Sequence, residues 1–258
     1  METNPRRWIT ALSASHTRLR TLVESLSPAD LLAPSYDREW TVAQVLSHLG
    51  SQAEIFQLFL DAALSGRPVP GNEAFPPVWE VWNQRQPEEQ SRECLDANDA
   101  FVARLEGLPD ETLRRPITVF GMNVTIGDLA RMRLSEHAVH SWDIAVSFDP
   151  TAQVAADAVA LLIDTLTQLV AYAGKPEGRV FDVHIHTSAP ERDFLLAVHD
   201  TVELNAFANQ AVTGTPDLPA EALLRLVYGR LDPAHTPPVA LAAGDVTLDD
   251  LRPAFPGL

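Results

Sequence analysis

The sequence predicts an α+β protein, with a helical bundle over residues 1–150 and a smaller mixed α/β domain over 151–258. Three observations carry this reading. Four segments before Pro150 repeat their apolar residues at helical spacing. After it, Val180 to Thr187 alternates as a strand does. Between them lies Asp149-Pro150, and proline disfavours helix in the residue before it. At roughly 150 residues per domain, a chain of 258 allows one or two domains.

The elements follow in order. Trp8, Leu12, Leu19, Leu22 and Leu26 set a first helix over Pro5–Leu26. Thr41-Val42-Ala43-Gln44 reads as a capping box that opens a second, about Val42 to Ser65, closed by Gly66 and Pro68. Arg67 to Gln86 reads as a Pro- and Gly-rich loop holding Trp79 and Trp82. A third helix runs from about Pro87 to Leu105. Ile117 to Thr125 is β-like, with Gly121 and Asn123 as turn residues. A fourth helix starts after Thr125, with Asp128 in the capping position, and runs to about Phe148. In the second domain one amphipathic helix spans about Thr151 to Tyr172. Strands follow at Val180–Thr187 and Asp193–His199, then short helices at Ala220–Gly229 and after Val246.

Composition narrows the function. Apolar residues at 46% and charged residues at 21% exclude a mostly disordered chain. Acidic residues outnumber basic ones 35 to 19, for a formal charge of −16, the opposite balance to a nucleic-acid or anionic-membrane binder. No nucleic acid and no membrane is therefore expected as a partner; a small-molecule substrate is. One cysteine, Cys94, excludes an internal disulfide and a Cys-based zinc site. The amino terminus lacks the apolar core of a signal peptide. The most apolar stretch, Val154 to Ala173, is interrupted by Asp157, Asp164, Thr165, Thr167 and Gln168, and is not expected to span a bilayer comfortably. A soluble cytoplasmic protein is expected, and the sequence is compatible with a monomer or a homodimer.

The fourth helix carries the chemistry. At about 100° per residue its apolar stripe is Leu129, Met132, Val139 and Val146, and Glu136, His140 and Asp143 project into it. A carboxylate on a buried face costs several kcal/mol unless it is paired or metal-bound. Glu136 and His140 are one turn apart on one face and can share an ion. The second helix places His48 among Val45, Gln52, Ile55, Phe56 and Phe59. If the two faces meet, two imidazoles and one carboxylate form a set with a fourth position open, as in catalytic zinc sites. Without thiolate, zinc is the first choice, and iron, nickel or manganese remain compatible. From pattern alone, a metal site and a hydrogen-bonded core cluster are both open.

Trp40-Thr41-Val42-Ala43-Gln44-Val45-Leu46-Ser47-His48-Leu49 resembles the second-helix motif of the mycothiol-dependent maleylpyruvate isomerase family, within the DinB-like metal-binding bundles. Glu136-His137-Ala138-Val139-His140-Ser141-Trp142-Asp143 resembles its second motif, E-x-x-x-H-x-W-D. Ala222-Leu223-Leu224-Arg225-Leu226-Val227-Tyr228-Gly229-Arg230 resembles its C-terminal motif, with Tyr228 where the family usually has Trp. The resemblance spans most of the chain. It implies a DinB-like four-helix bundle whose metal ligands are His48, Glu136 and His140, with a divalent metal, mycothiol and a small electrophile meeting there. The implied chemistry is sound. A thiol near pKa 8.5 is mostly protonated at neutral pH, and a divalent cation deprotonates it. Thiolate addition across the cis double bond of a maleylpyruvate-like substrate permits rotation, and elimination returns the thiol and the trans isomer. A substrate with a leaving group would give an S-conjugate instead.

Arg230 and Asp143 are the candidate catalytic residues, and Gln52 and Arg230 the candidate cofactor contacts. A guanidinium matches carboxylate geometry, which suits Arg230 to an anionic substrate or the thiol; a solvated helix-closing Arg beside Gly229 is the alternative. Asp143 could orient a ligand imidazole. Arg133 could serve anions or neutralise Glu136, His137 is an alternative ligand on the helix flank, and His16, Cys94 and Arg225 are expected to be structural. His184 and His186 share a strand face and are expected at the surface. Three functions compete: an isomerase or S-transferase, a hydrolase using zinc-bound water, and a non-catalytic small-molecule-binding bundle. A pocket at the domain junction is favoured as the ligand site.

Overall fold

Asn4 opens the chain's first helix. Its side chain accepts from the Arg6 amide at 3.0 Å, and Pro5 sits in the first turn, where a missing N–H leaves no bond unmade. The computed structural model describes residues 4–37, 39–238 and 244–257. Residues 1–3, part of the stretch read above for a signal peptide, and 239–243 lie outside the described residues. The fold is α+β, and it separates into two compact units, Met1–Ala152 and Gln153–Leu258.

The first unit contains α1 (Pro5–Glu24), α2 (Pro28–Leu31), α3 (Val42–Leu64), α4 (Phe75–Asn83), α5 (Pro87–Glu106) and α6 (Asp110–Leu113). The strands β1 (Pro116–Val119) and β2 (Met122–Thr125) follow, then α7 (Asp128–Ala145). The four long helices α1, α3, α5 and α7 pack on one another, with α3 against both α5 and α7. The expected capping box starts α3: Thr41 N–H donates to Gln44 Oε1 at 2.8 Å, and Gln44 N–H to Thr41 Oγ1 at 3.3 Å. Leu46, Leu49, Phe59 and Leu60 on α3 are fully buried, each contributing about 1.5–3 kcal/mol.

Two sequence expectations in this unit are corrected. The Arg67–Gln86 loop contains a 3₁₀ turn (Asn72–Ala74) and α4, because Pro76 and Pro77 stand at its first positions, where proline starts a helix rather than breaking one. The single β-like run is a hairpin, with Ile117 opposite Val124. Its tip is Phe120-Gly121, both at positive φ (52° and 75°), as a two-residue primed turn requires, so Asn123 lies in a strand rather than the turn.

The second unit contains α8 (Ala156–Leu162), α9 (Leu166–Ala173), β3 (Phe181–Ser188), β4 (Arg192–Val198), β5 (Val202–Ala206), β6 (Asp217–Pro219), α10 (Ala220–Val227) and α11 (Leu248–Leu251). The sheet order is β5-β4-β3-β6, with only β3 and β6 parallel. Phe181, Val183 and Ile185 alternate inward on β3, while His184 and His186 point outward. The expected single helix is two, split by a 3₁₀ turn over Ile163–Thr165. Ala156–Ala173 is long and apolar enough to cross a membrane by length and composition alone, contrary to the sequence reading. In this unit its side chains Val159, Leu162, Ile163, Leu166 and Val170 are buried.

Helix α4 is locked to α3 through Trp82. Its indole N–H donates to Glu54 at 2.7 Å, the Arg85 guanidinium lies over the ring, and the ring lies against Gly50. A Cβ at Gly50 would stand 2.1 Å from the indole. Gly50→Ala is therefore expected to destabilise the protein by about 1–3 kcal/mol through overpacking, read as a lower urea midpoint with unchanged slope. An unchanged midpoint would show that Trp82 is free to move.

Candidate metal centre

Helices α3 and α7 bring together the three side chains singled out by their position on apolar faces. His48 comes from α3; Glu136 and His140 sit one turn apart on α7. His48 Nε2 lies 3.4 Å from Glu136 Oε2, and His140 Nε2 lies 3.6 Å from the same oxygen. The two imidazole centroids are 4.7 Å apart. This is the only group of three potential metal-binding side chains among the described residues, its donor atoms all within 4.8 Å of one another. Bonds of about 2.0–2.1 Å at tetrahedral angles separate ligand atoms by about 3.4 Å, so the donors stand near the spacing that one zinc-sized ion needs. The His48 and Glu136 side chains keep 25% and 31% exposure, which leaves the cluster open to a dissolved ligand.

Asp143 is 1% exposed and accepts the Nδ1–H of His140 at 2.8 Å, and the Nε2 of that ring faces Glu136. A carboxylate in this position can orient an imidazole. Trp142, in the same motif, donates to Ala152 O at 2.8 Å and packs on Tyr36, and the Tyr36 amide donates to Asp143 O. These bonds fix the carboxyl-terminal end of α7.

Burial works against charge throughout the cluster; hydrogen bonds outweigh it at Glu136 and His140 but not at His48. For Glu136 burial alone would raise the carboxyl, but the His140 and His48 bonds hold it well below the usual carboxylate range. For His140 burial opposes protonation, yet the Asp143 and Glu136 bonds push it up to about 9. His48 is held below the ordinary histidine value, chiefly by burial, with Glu136 pulling the other way.

Gln52 lies one turn beyond His48. Its amide nitrogen donates to Glu136 Oε2 at 2.8 Å and stands 2.9 Å from His48 Nε2. Its oxygen accepts from Arg133, which is fully buried and also donates to Leu49 O at 3.2 Å and Asn98 Oδ1 at 2.8 Å. Burial lowers Arg133 to about 10, still cationic at neutral pH. Sequence reasoning missed Asn98 and Trp40. Asn98 is a buried polar residue one turn past Cys94 on α5, a spacing that could have marked it. The Trp40 ring lies 5.3 Å from that of His48.

The remaining candidates fall elsewhere. His137 points away from the cluster, with Nδ1 3.0 Å from Ser15 Oγ and its ring edge-on to His16. His16 pairs with Asp99 at 2.8 Å. Cys94 is fully buried, and burial pushes its thiol up to about 12. In the second unit Arg225 grips Glu221 through two bonds and donates to the Arg230 and His235 carbonyls, a structural role. Arg230 donates to Tyr228 O at 2.6 Å beside Gly229, whose φ of 73° closes α10. His184 and His186 share Asp193 Oδ1.

Comparison with known proteins bears on this geometry. Residues 12–145 match the family model of the mycothiol maleylpyruvate isomerase N-terminal domain. A solved mycothiol-dependent maleylpyruvate isomerase is 12% identical, with a TM-score of 0.69 over 95% of this chain and 96% of that chain. A histidine-to-alanine mutant of a mycothiol-dependent maleylpyruvate isomerase is 13% identical, with the same TM-score and coverage. At these identities the likeness is one of fold. No curated protein matches.

The charge state sets a pH dependence. With His140 raised to about 9, the site carries a proton at neutral pH that an incoming cation must displace. Zinc titration near neutral pH, in buffers of different ionisation enthalpy, is expected to release about one proton per ion. Affinity should rise about tenfold per pH unit and level off near 9. A proton count near zero would contradict this assignment.

Proposed function

The chain belongs to the mycothiol maleylpyruvate isomerase N-terminal domain family, and on that premise we propose a metal-dependent enzyme that uses a low-molecular-weight thiol, mycothiol. Its zinc ligands are His48, Glu136 and His140. Its reaction is isomerisation of a maleylpyruvate-like substrate or transfer of the thiol sulfur to a small electrophile. One observation carries the reading: three donors of the right chemistry, from two helices, at separations of 3.4 and 3.6 Å about a shared carboxylate oxygen.

The donor set fits the ion. Imidazole and carboxylate suit zinc, and three protein donors leave room for a ligand from solution. A divalent cation there supplies the acidity that keeps a thiol deprotonated at neutral pH. The chain's own residues do the rest. Asp143 holds the His140 ring by its Nδ1–H and raises the basicity of the nitrogen turned to the site. Glu136, held ionised by two imidazoles, contributes the negative charge. Gln52 presents amide hydrogens to the same cluster and is proposed as a cofactor contact. Arg230 is proposed as the group that binds an anionic substrate or the thiol, on its motif alone. The first unit is proposed as the metal-binding domain, the second as an α+β domain that completes the enzyme.

Metal analysis tests the ligand set: the wild type is expected to bind one zinc per chain, and His48→Ala or His140→Ala none, with unchanged far-ultraviolet circular dichroism. A mutant that keeps stoichiometric zinc removes that residue from the set. Calorimetry of the zinc-loaded protein is expected to show binding of mycothiol but not of glutathione. Turnover without any thiol would favour a zinc-water hydrolase instead.

A further inference from the structure

Gln52 is a neighbour of the triad able to change its coordination number, and this inference rests on the metal reading above. Its carboxamide reaches the ligand atoms themselves, 2.8 Å from Glu136 Oε2 and 2.9 Å from His48 Nε2. An amide has two ends. With nitrogen toward the cluster it is only a donor; with oxygen there it is a fourth protein ligand, and the coordination sphere closes. We propose that Arg133 is the positioning residue that decides between them, holding the Gln52 oxygen away from the cluster so that a coordination position stays free for an exogenous sulfur ligand.

The network around Arg133 supports this. A guanidinium only donates, so the Gln52 atom it meets must be oxygen. Arg133 cannot readily turn aside, because its other terminal nitrogen donates to Leu49 O and Asn98 Oδ1. Asn98 is fixed in turn, its amide nitrogen donating to Cys94 O at 2.9 Å. Flipping Gln52 would face its NH₂ group to a buried cation and give up a charge-assisted bond, roughly twice as strong as a neutral one. Held this way, Gln52 turns hydrogens toward the open position, which suits an anionic sulfur.

Cobalt(II) in place of zinc tests the proposal without turnover. The probe is 2-mercaptoethanol, whose sulfur-to-cobalt charge-transfer band reports thiolate coordination. Cobalt-loaded wild type is expected to bind the thiol, and Gln52→Ala to bind it within about threefold of the wild type, the loss being that of the amide hydrogens. Arg133→Met should keep one cobalt per chain but lose thiol affinity by about tenfold or more, and Arg133→Met/Gln52→Ala should return to the level of Gln52→Ala, because removing Gln52 removes the competing oxygen. A loss that the double variant does not recover marks Arg133 as merely structural and overturns the proposal, as does unchanged thiol affinity in Arg133→Met. A wild type that takes up no cobalt overturns the metal reading and this inference with it. If Arg133→Met does not fold, Gln52→Glu carries the test: Arg133 keeps an acceptor, a second oxygen faces the cluster, and thiol affinity should fall by a similar factor. Unchanged affinity there overturns the proposal.

Discussion

A carboxylate kept ionised on a partly buried helix face is the constraint on which the first unit depends. Left without partners there, such a charge is costly, and a protein ordinarily removes it by protonation. Glu136 stays charged because polar partners gather at its Oε2: the Gln52 amide donates at 2.8 Å, and the His48 and His140 rings stand 3.4 and 3.6 Å away. Each donor needs its own anchor. Asp143 turns His140, and Arg133 turns Gln52. His48 needs the register of α3, fixed by the Thr41–Gln44 box less than two turns before it. The polar network reaches from α3 through α7 to Asn98 on α5, and so ties the three helices together as well as forming the site.

Packing makes that network possible. Helix α3 is buried on several sides, and Gly50 lets the Trp82 indole lie against its backbone. That contact seats α4, which sequence reading took for a loop. Because α3 is fixed by Leu46, Leu49, Phe59 and Leu60, His48 and Gln52 reach α7 as rigid projections.

What was readable in the sequence is what periodicity controls. Glu136, His140 and Asp143 stood out as polar residues within an apolar stripe, and His48 stood out on the second helix. All four meet as the pattern implied. The fold class followed from the change of period after Pro150. What was not readable depended on tertiary context. Pro76 and Pro77 signal a break or a start according to register, and only the structure sets the register. Phe120 in the left-handed region conceals a hairpin turn, since bulky residues seldom adopt it. The edge strand Asp217–Pro219, at three residues, is too brief for alternation to show; the other edge strand, Val202–Ala206, does alternate apolar and polar residues and was legible. Arg133 was read as a partner for Glu136 or for anions; its bonds go to Gln52, Leu49 and Asn98, because the guanidinium faces α3 and α5.

Local charge accounts for the class of ligand such a site would hold. Glu136 is held ionised, while Arg133 and the protonated His140 are cationic. Exchanging the His140 proton for a divalent cation would add one positive charge in a partly buried place, where an uncompensated charge is expensive. An anionic fourth ligand restores the balance, and a neutral one does not. A thiol bound as thiolate meets that demand, while the chain as a whole, at −16, offers little attraction to dissolved anions at long range. In the proposed site, selection for an anion would therefore be made at contact distance, by the ion's charge and by the hydrogens that Gln52 turns toward it.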